Sequence, residues 1–259
     1  MAGYSASQAV AQTGSYPTGL YAQNATAEGG RNVFWAGLSF GVDLLDPIKI
    51  KGDVNYGQVG AKNVQNKMSG WLADLSVEYT GFSFVTPELF FVYTTGESGN
   101  ATTHSGKSGR MPQLTQENWG VGSFFFGGDA LITGSIAARE ASTGFWTAGL
   151  SLKNMSLVEK LAHTVHVLYI QGTNNKDIGA QYTTAANQGN VRNIQYGRTL
   201  TTKDSVWEID LNSKYPIYPE LTAYLEMGLL FPSFSKSVWG DSYGGSTAHK
   251  VSLGLSYEF

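Results

Sequence analysis

Apolar side chains recur at every second position in nine separate runs between residues 32 and 259. Residues two apart share a face of a β-strand, so each run presents one apolar and one polar side. In the last run, 248–259, Val251, Leu253, Leu255, Tyr257 and Phe259 form one row, against Lys250, Ser252, Gly254, Ser256 and Glu258. The run 32–43 sets Phe34, Ala36, Leu38, Phe40 and Val42 on one face, and the run 48–57 splits Ile48, Ile50, Val54 and Tyr56 from Lys49, Lys51, Asp53 and Asn55. Trp71, Ala73, Leu75, Val77 and Tyr79 oppose Asp74, Ser76 and Glu78, and Leu89, Phe91 and Tyr93 follow with Glu88 on the other side. Further strands are predicted at 144–154, 162–171, 205–215 and 220–231, with Lys153, His166, Glu208, Asp210, Lys214 and Glu226 all on the polar side.

The connections alternate between short and long: turns at 44–47, around Gly81, at 154–161 and at 216–219, and loops at 58–69, 95–143, 172–204 and 232–247. Tight turns at one end and extended loops at the other characterise a transmembrane β-barrel. Aromatic residues cluster at the strand ends: Tyr56, Trp71, Tyr93, Trp146, Tyr169, Trp207 and Phe231 toward the loops, and Tyr79, Tyr215, Tyr218, Tyr257 and Phe259 toward the turns. Rings at both headgroup levels would make two girdles. The chain therefore reads as all-β: an antiparallel transmembrane barrel wall over 32–259, preceded by a polar loop segment at 1–31. The loop 96–142 is expected to fold partly into the lumen. A terminal aromatic preceded by apolar residues at alternate positions, Leu255, Tyr257 and Phe259, resembles the strand that serves as the assembly signal of bacterial outer-membrane barrels.

Composition sharpens this picture. Charged residues make up 14% of 259 against an ordinary ~25%, yet mean hydropathy is only -0.16. No run approaches the roughly 18 apolar residues of a spanning helix, whereas a barrel hides its apolarity in alternate positions. A net charge of -3 leaves no basic footprint for nucleic acid, and the absence of Cys removes disulfides and thiolate chemistry. The strand count is nine, or eleven if 119–138 is a hairpin; single-chain barrels have even counts. Residues 1–30 lack Lys and Arg and do not read as a secretory leader. Both features predict an incomplete barrel of about nine to eleven strands, the C-terminal part of a longer wall.

Four segments, SGRMPQL, LAHTVHVLYIQGTNN, LTTKDSVWEIDLNSKYPIY and the terminal SYEF, resemble the C-terminal half of outer-membrane homotrimeric porins of sulfate-reducing bacteria. The resemblance covers most of 32–259. It implies a passive water-filled channel in the bacterial outer membrane, a homotrimer surrounded by outer-membrane lipid, and insertion by the barrel-assembly machinery through the C-terminal strand. No enzyme activity and no cofactor are expected.

Function in a channel is spread along its lining. Alternation predicts Lys49, Lys51, Asp53, Asp74, Glu78, Glu88, Lys153, His166, Glu208, Asp210, Lys214, Glu226 and Lys250 as pore-lining, with acids in excess, hence a mild cation preference. Candidate constriction residues on the inward loop are Arg110, Glu117, Asp129, Arg139 and Glu140, beside Phe124, Phe125 and Phe126. Competing readings are weaker. The stretch ATTHSGKS lacks the first glycine of a phosphate loop and its flanking strand and helix. His163 and His166 fall on opposite strand faces and cannot chelate one metal together. Asn174, Asn175 and Asp177 could offer oxygens to Ca²⁺, but read more simply as a solvated turn. A non-channel barrel, hydrolase or structural, and a soluble all-β binding module are the alternatives. A Ser and a His on one side near the lipid boundary would favour the hydrolase.

Overall fold

The computed structural model describes residues 32–62, 64, 67–99, 106–112, 122–126, 131–132, 143–178, 200–241 and 245–259. Nine strands run in chain order: β1 Val33–Leu45, β2 Ile48–Val59, β3 Met68–Tyr79, β4 Thr86–Thr94, β5 Phe145–Val158, β6 Leu161–Gly172, β7 Ser205–Tyr218, β8 Leu221–Ser233 and β9 Ala248–Tyr257. They form one sheet in the order β1 to β9, and each strand pairs antiparallel with its neighbour in sequence. The chain is thus an all-β up-and-down meander of the kind that builds antiparallel barrel walls.

Register decides which side chains share a face, because directly opposed residues point the same way. Leu38 opposes Val54, Val54 opposes Ala73, Leu75 opposes Phe91, Leu89 opposes Leu150 and Leu150 opposes Val167. Val167 opposes Ile209, Ile209 opposes Leu229, and Met227 opposes Val251. One apolar face therefore runs unbroken across all nine strands. Its side chains stay open: Leu38 is 74% exposed, Leu253 79% and Leu255 71%. In water each such leucine would forgo roughly 1.5–3 kcal/mol of burial, so the face demands an apolar medium.

Rings on this face line up toward the loop end. Tyr56 and Trp71 lie 4.8 Å apart between centroids, Phe91 and Trp146 6.2 Å, Trp146 and Tyr169 5.3 Å, and Tyr169 and Trp207 5.1 Å. At the turn end Tyr79 meets Phe82 at 4.9 Å, and Tyr257 meets Phe259 at 5.7 Å.

Several strands outrun the alternation at the turn end. β5 continues to Val158 through two irregularities, with Asn154 at φ 53°, and β7 continues to Tyr218 past an irregularity beside Pro216. Bulges shift the face of every later residue by one position, so side-chain alternation ends where the backbone ladder does not. The loop end instead carries a helical turn at Lys236–Trp239 and a 3-10 turn at Lys176–Ile178.

Candidate functional site: the polar face and the segment laid across it

All thirteen side chains expected on the lining fall on the face opposite the apolar one. Lys49 opposes Glu78, Lys51 opposes Ser76, Asp53 opposes Asp74, and Glu78 opposes Glu88. His166 opposes Asp210, Lys214 opposes Tyr224, and Lys250 opposes Gly228. Lys153 and Glu88 form an ion pair of 2.7 Å.

That face has two regions of different character. Along β2 and β3, and at the turn ends of β4 and β5, the charged residues are half-buried or exposed. Toward the loop ends of β4 to β8 the same face is apolar: Phe90, Val92, Leu168, Ile170, Val206 and Leu230 are buried there with Phe145 and Leu200. What covers them is the segment 122–126. Phe124, Phe125 and Phe126 belong to this cluster, with Phe125 edge-on to Phe126 and Phe126 4.6 Å from Phe145.

Carboxylates hold the segment in place. Glu208 accepts from the main-chain N–H of Phe124 and of Phe125, both at 2.9 Å, and Asp210 accepts from that of Ser123 at 2.9 Å. Glu226 accepts from the N–H groups of Leu131 and Ile132, the latter at 2.7 Å. Lys250 lies 3.5 Å from Glu226, donates to the Ser123 carbonyl and stands over the Phe124 ring. Gly122 enters at φ +62°, where a Cβ would sit 2.7 Å from Glu208 Oε1, so glycine answers both needs. Charge-assisted bonds to buried carboxylates are among the stronger ones in proteins.

These contacts revise the expected lining. Glu208 and Glu226 are fully buried, and Asp210 and His166 nearly so. The three acids anchor a covering segment and do not face open water; Lys250 joins them. His166 bonds Ser151 through Nδ1 at 2.7 Å. The cause is the apolar patch beside them, which draws the three phenylalanines down onto the sheet. Of the constriction candidates, Arg110 is described. Glu117, Asp129, Arg139 and Glu140 lie outside the described residues, as does most of the 119–138 hairpin alternative; 122–126 and 131–132 are not strand.

Arg110 stands at the loop end, where its Nε and Nη2 both donate to Asn174 Oδ1 at 3.1 Å. The same oxygen accepts from the Glu97 N–H at 2.8 Å, while Asn174 Nδ2 donates to the carbonyls of Gly144 and Leu200. Ser108 donates to Glu97 Oε2 at 2.9 Å. Burial raises the Glu97 carboxyl above the ordinary glutamate range, and nearby Arg110 and the Ser108 hydroxyl offset part of that rise. One side chain, Asn174, thus joins four loop stretches. This occupation also overturns the Ca²⁺ alternative, since the Asn174 oxygen is surrounded by donors and Asp177 pairs with Lys176. Among the described residues no group of three or more His, Asp or Glu is arranged to hold a metal ion.

A second clasp was not legible in the chain. Asp204 accepts from Thr201 N, from Thr201 Oγ1, from Ser235 N and from Trp239 Nε1, at 2.8, 2.5, 2.7 and 2.9 Å. Residues 109–112 also cross the polar face: Trp35 Nε1 donates to the Pro112 carbonyl at 2.9 Å, and a Cβ on Gly70 would strike the main chain of Gly109 and Met111.

Serine–histidine pairs occur on both faces. Ser151 and His166 are each 1% exposed, a satisfied internal pair closed to substrate. His163 Nδ1 and Ser213 Oγ, 2.7 Å apart, sit on the apolar side toward the turns. Their opposed neighbours are Met155 and Leu225, so this pair has no acid in register to orient an imidazole for acyl transfer.

No family model and no curated protein matches this chain. Among solved structures it is similar to the outer membrane channel DcaP of Acinetobacter baumannii, at 10% identity and TM-score 0.45, over 90% of this chain and 55% of that one. It is likewise similar to the outer membrane protein OprD of Pseudomonas aeruginosa, at 13% identity and TM-score 0.44, over 87% and 52%. The chain spans about half the length of these structures.

Proposed function

We propose that this chain is part of the wall of an outer-membrane porin, a passive, non-enzymatic passage for ions and small hydrophilic solutes. One observation carries the reading: register keeps one face of a nine-stranded antiparallel sheet apolar from strand to strand and gathers the Lys, Asp and Glu residues of the strands on the other. The outer-membrane channels to which the chain is similar agree with this reading. The finer expectations, a homotrimer of the type found in sulfate-reducing bacteria and recognition of Leu255, Tyr257 and Phe259 by the assembly machinery, rest on the resemblance alone. Neither a cofactor nor nucleic acid enters the proposal.

Selectivity follows from the charges left facing water. Glu88 is neutralised by Lys153, and Glu208, Asp210 and Glu226 are taken up by the covering segment. The balance falls to Asp53, Asp74 and Glu78 against Lys49, Lys51 and Lys214, three of each sign, so the acidic excess expected from the chain is cancelled and the passage should discriminate little between cations and anions. Planar-bilayer recording on the longest form of the protein tests this: discrete conductance steps and a reversal potential close to zero are expected in a salt gradient. A membrane-inserted protein without steps would reject the channel. It would favour the second reading, a structural barrel closed by the stretches 122–126 and 131–132, which the burial of Phe124 to Phe126 supports.

A further inference from the structure

We propose that the pocket at the loop end of β2 and β3 binds the phosphorylated headgroup of an outer-leaflet lipid. The pocket has a volume of about 470 Å³, and its lining includes Asn32, Gln58, Ser69, Lys62, Lys67 and Lys107, with no carboxylate among the residues that line it. Three lysines line it on a chain whose net charge is -3. Its attraction for anions is therefore local.

The backbone holds these lysines in position. Lys67 N donates to the Val64 carbonyl at 3.1 Å, and the Lys67 carbonyl accepts from Ser108 N at 2.8 Å. Ser69 N donates to the Ser108 carbonyl at 3.1 Å, which fixes the stretch carrying Lys107 beside β3. Lys107 Nζ then reaches Ser69 Oγ at 2.9 Å. Gly60 N, on the other side, is bonded to the Asn32 carbonyl at 2.7 Å.

Position selects the ligand. Gln58 and Ser69 oppose each other in the apolar-face register, two residues beyond the opposed pair Tyr56 and Trp71. Tyr56 Oη donates to Gln58 Oε1 at 3.0 Å, joining the ring level to the pocket. Rings of this kind lie at the membrane–water boundary. The next layer outward holds lipid phosphates, and a lysine near such a surface is worth about a fivefold gain in affinity for anionic lipid. A lipid standing against the apolar face would place its chains on Leu38 and Val54 and its phosphate among the lysines. The inference rests on the reading that this face meets lipid.

The test uses the full chain in neutral detergent, with a diphosphorylated glucosamine-disaccharide lipid as probe and retained lipid counted by native mass spectrometry. The combined substitution Lys62→Gln, Lys67→Gln and Lys107→Gln is expected to weaken retention by roughly a hundredfold, while Lys236→Gln leaves it unchanged. The dephosphorylated lipid should bind no better than the triple variant binds the probe. Undiminished retention by a triple variant with native β-sheet signal in circular dichroism would overturn the proposal, as would equal retention of the dephosphorylated lipid. Displacement of the probe by equimolar inorganic phosphate would overturn it as well, assigning the pocket to free anions. Flotation with phosphatidylcholine vesicles separates the two readings: a chain that fails to float contradicts the membrane wall itself, whereas one that floats and ignores the probe contradicts this pocket alone.

Discussion

Single residues at the loop end do work that no strand pattern announces. Asn174 reads as one more polar residue in an Asn-rich turn, yet it joins the stretches around Glu97, Arg110, Gly144 and Leu200. The information lies in which backbone groups lack a partner after folding, and that is invisible before the loops meet. Glu97 has a testable consequence. Its carboxyl is raised by burial, so the folded cluster holds its proton more tightly than the unfolded chain does. The sign follows from linkage: the contribution is present in full below the ordinary glutamate value, and it is lost as pH rises through the raised one. Amide exchange at residues 95–97 and 174–175 should quicken over that interval, and Glu97→Gln should flatten the dependence. An unchanged profile in the variant would remove Glu97 as its source.

Strands were legible wherever alternation and backbone pairing coincide, which is why the faces of β2, β3 and β9 followed from side chains alone. Their ends were not, because the bulges near Met155 and Pro216 extend the ladder while scrambling the pattern. The covered patch did leave a trace: LFFVY in β4 and VLYI in β6 are apolar at both parities, as strands buried on both faces are. Those runs, together with FFF at 124–126, were the available sign that part of the polar side is dry. Replacing Glu208 and Glu226 together by Ala would leave four main-chain N–H groups without acceptors, at about 1 kcal/mol or more each if they stayed buried. The segment should therefore lift. Expected outcomes are faster exchange at 123–125 and 131–132 and a higher single-channel conductance, both restored by Gln at the same positions. Conductance unchanged with exchange accelerated would mean that the segment does not narrow the passage.

At the scale of the whole molecule, the division into oil-facing and water-facing sides was readable because the period of a strand is two and every strand pairs with its neighbour in sequence. The closure, partners and solute of the full wall have no such period to be read from. The two sides should answer differently to one charge. Leu150→Lys, central on the apolar face, is expected to cost about 2–4 kcal/mol in unfolding from phosphatidylcholine vesicles. Thr164→Lys on the other face should change stability by no more than about 0.5 kcal/mol; equal costs would contradict the assignment of faces. The two levels of aromatic rings carry one more implication. On β7, Trp207 and Tyr215 stand eight residues apart on the same side, about 26 Å along a strand at ~3.3 Å per residue. The slant usual for such walls, ~40°, reduces this to a height of about 20 Å. On the proposed membrane reading these rings are a built-in ruler for a hydrocarbon layer thinner than the common ~30 Å, and a thicker membrane would have to pinch around the wall.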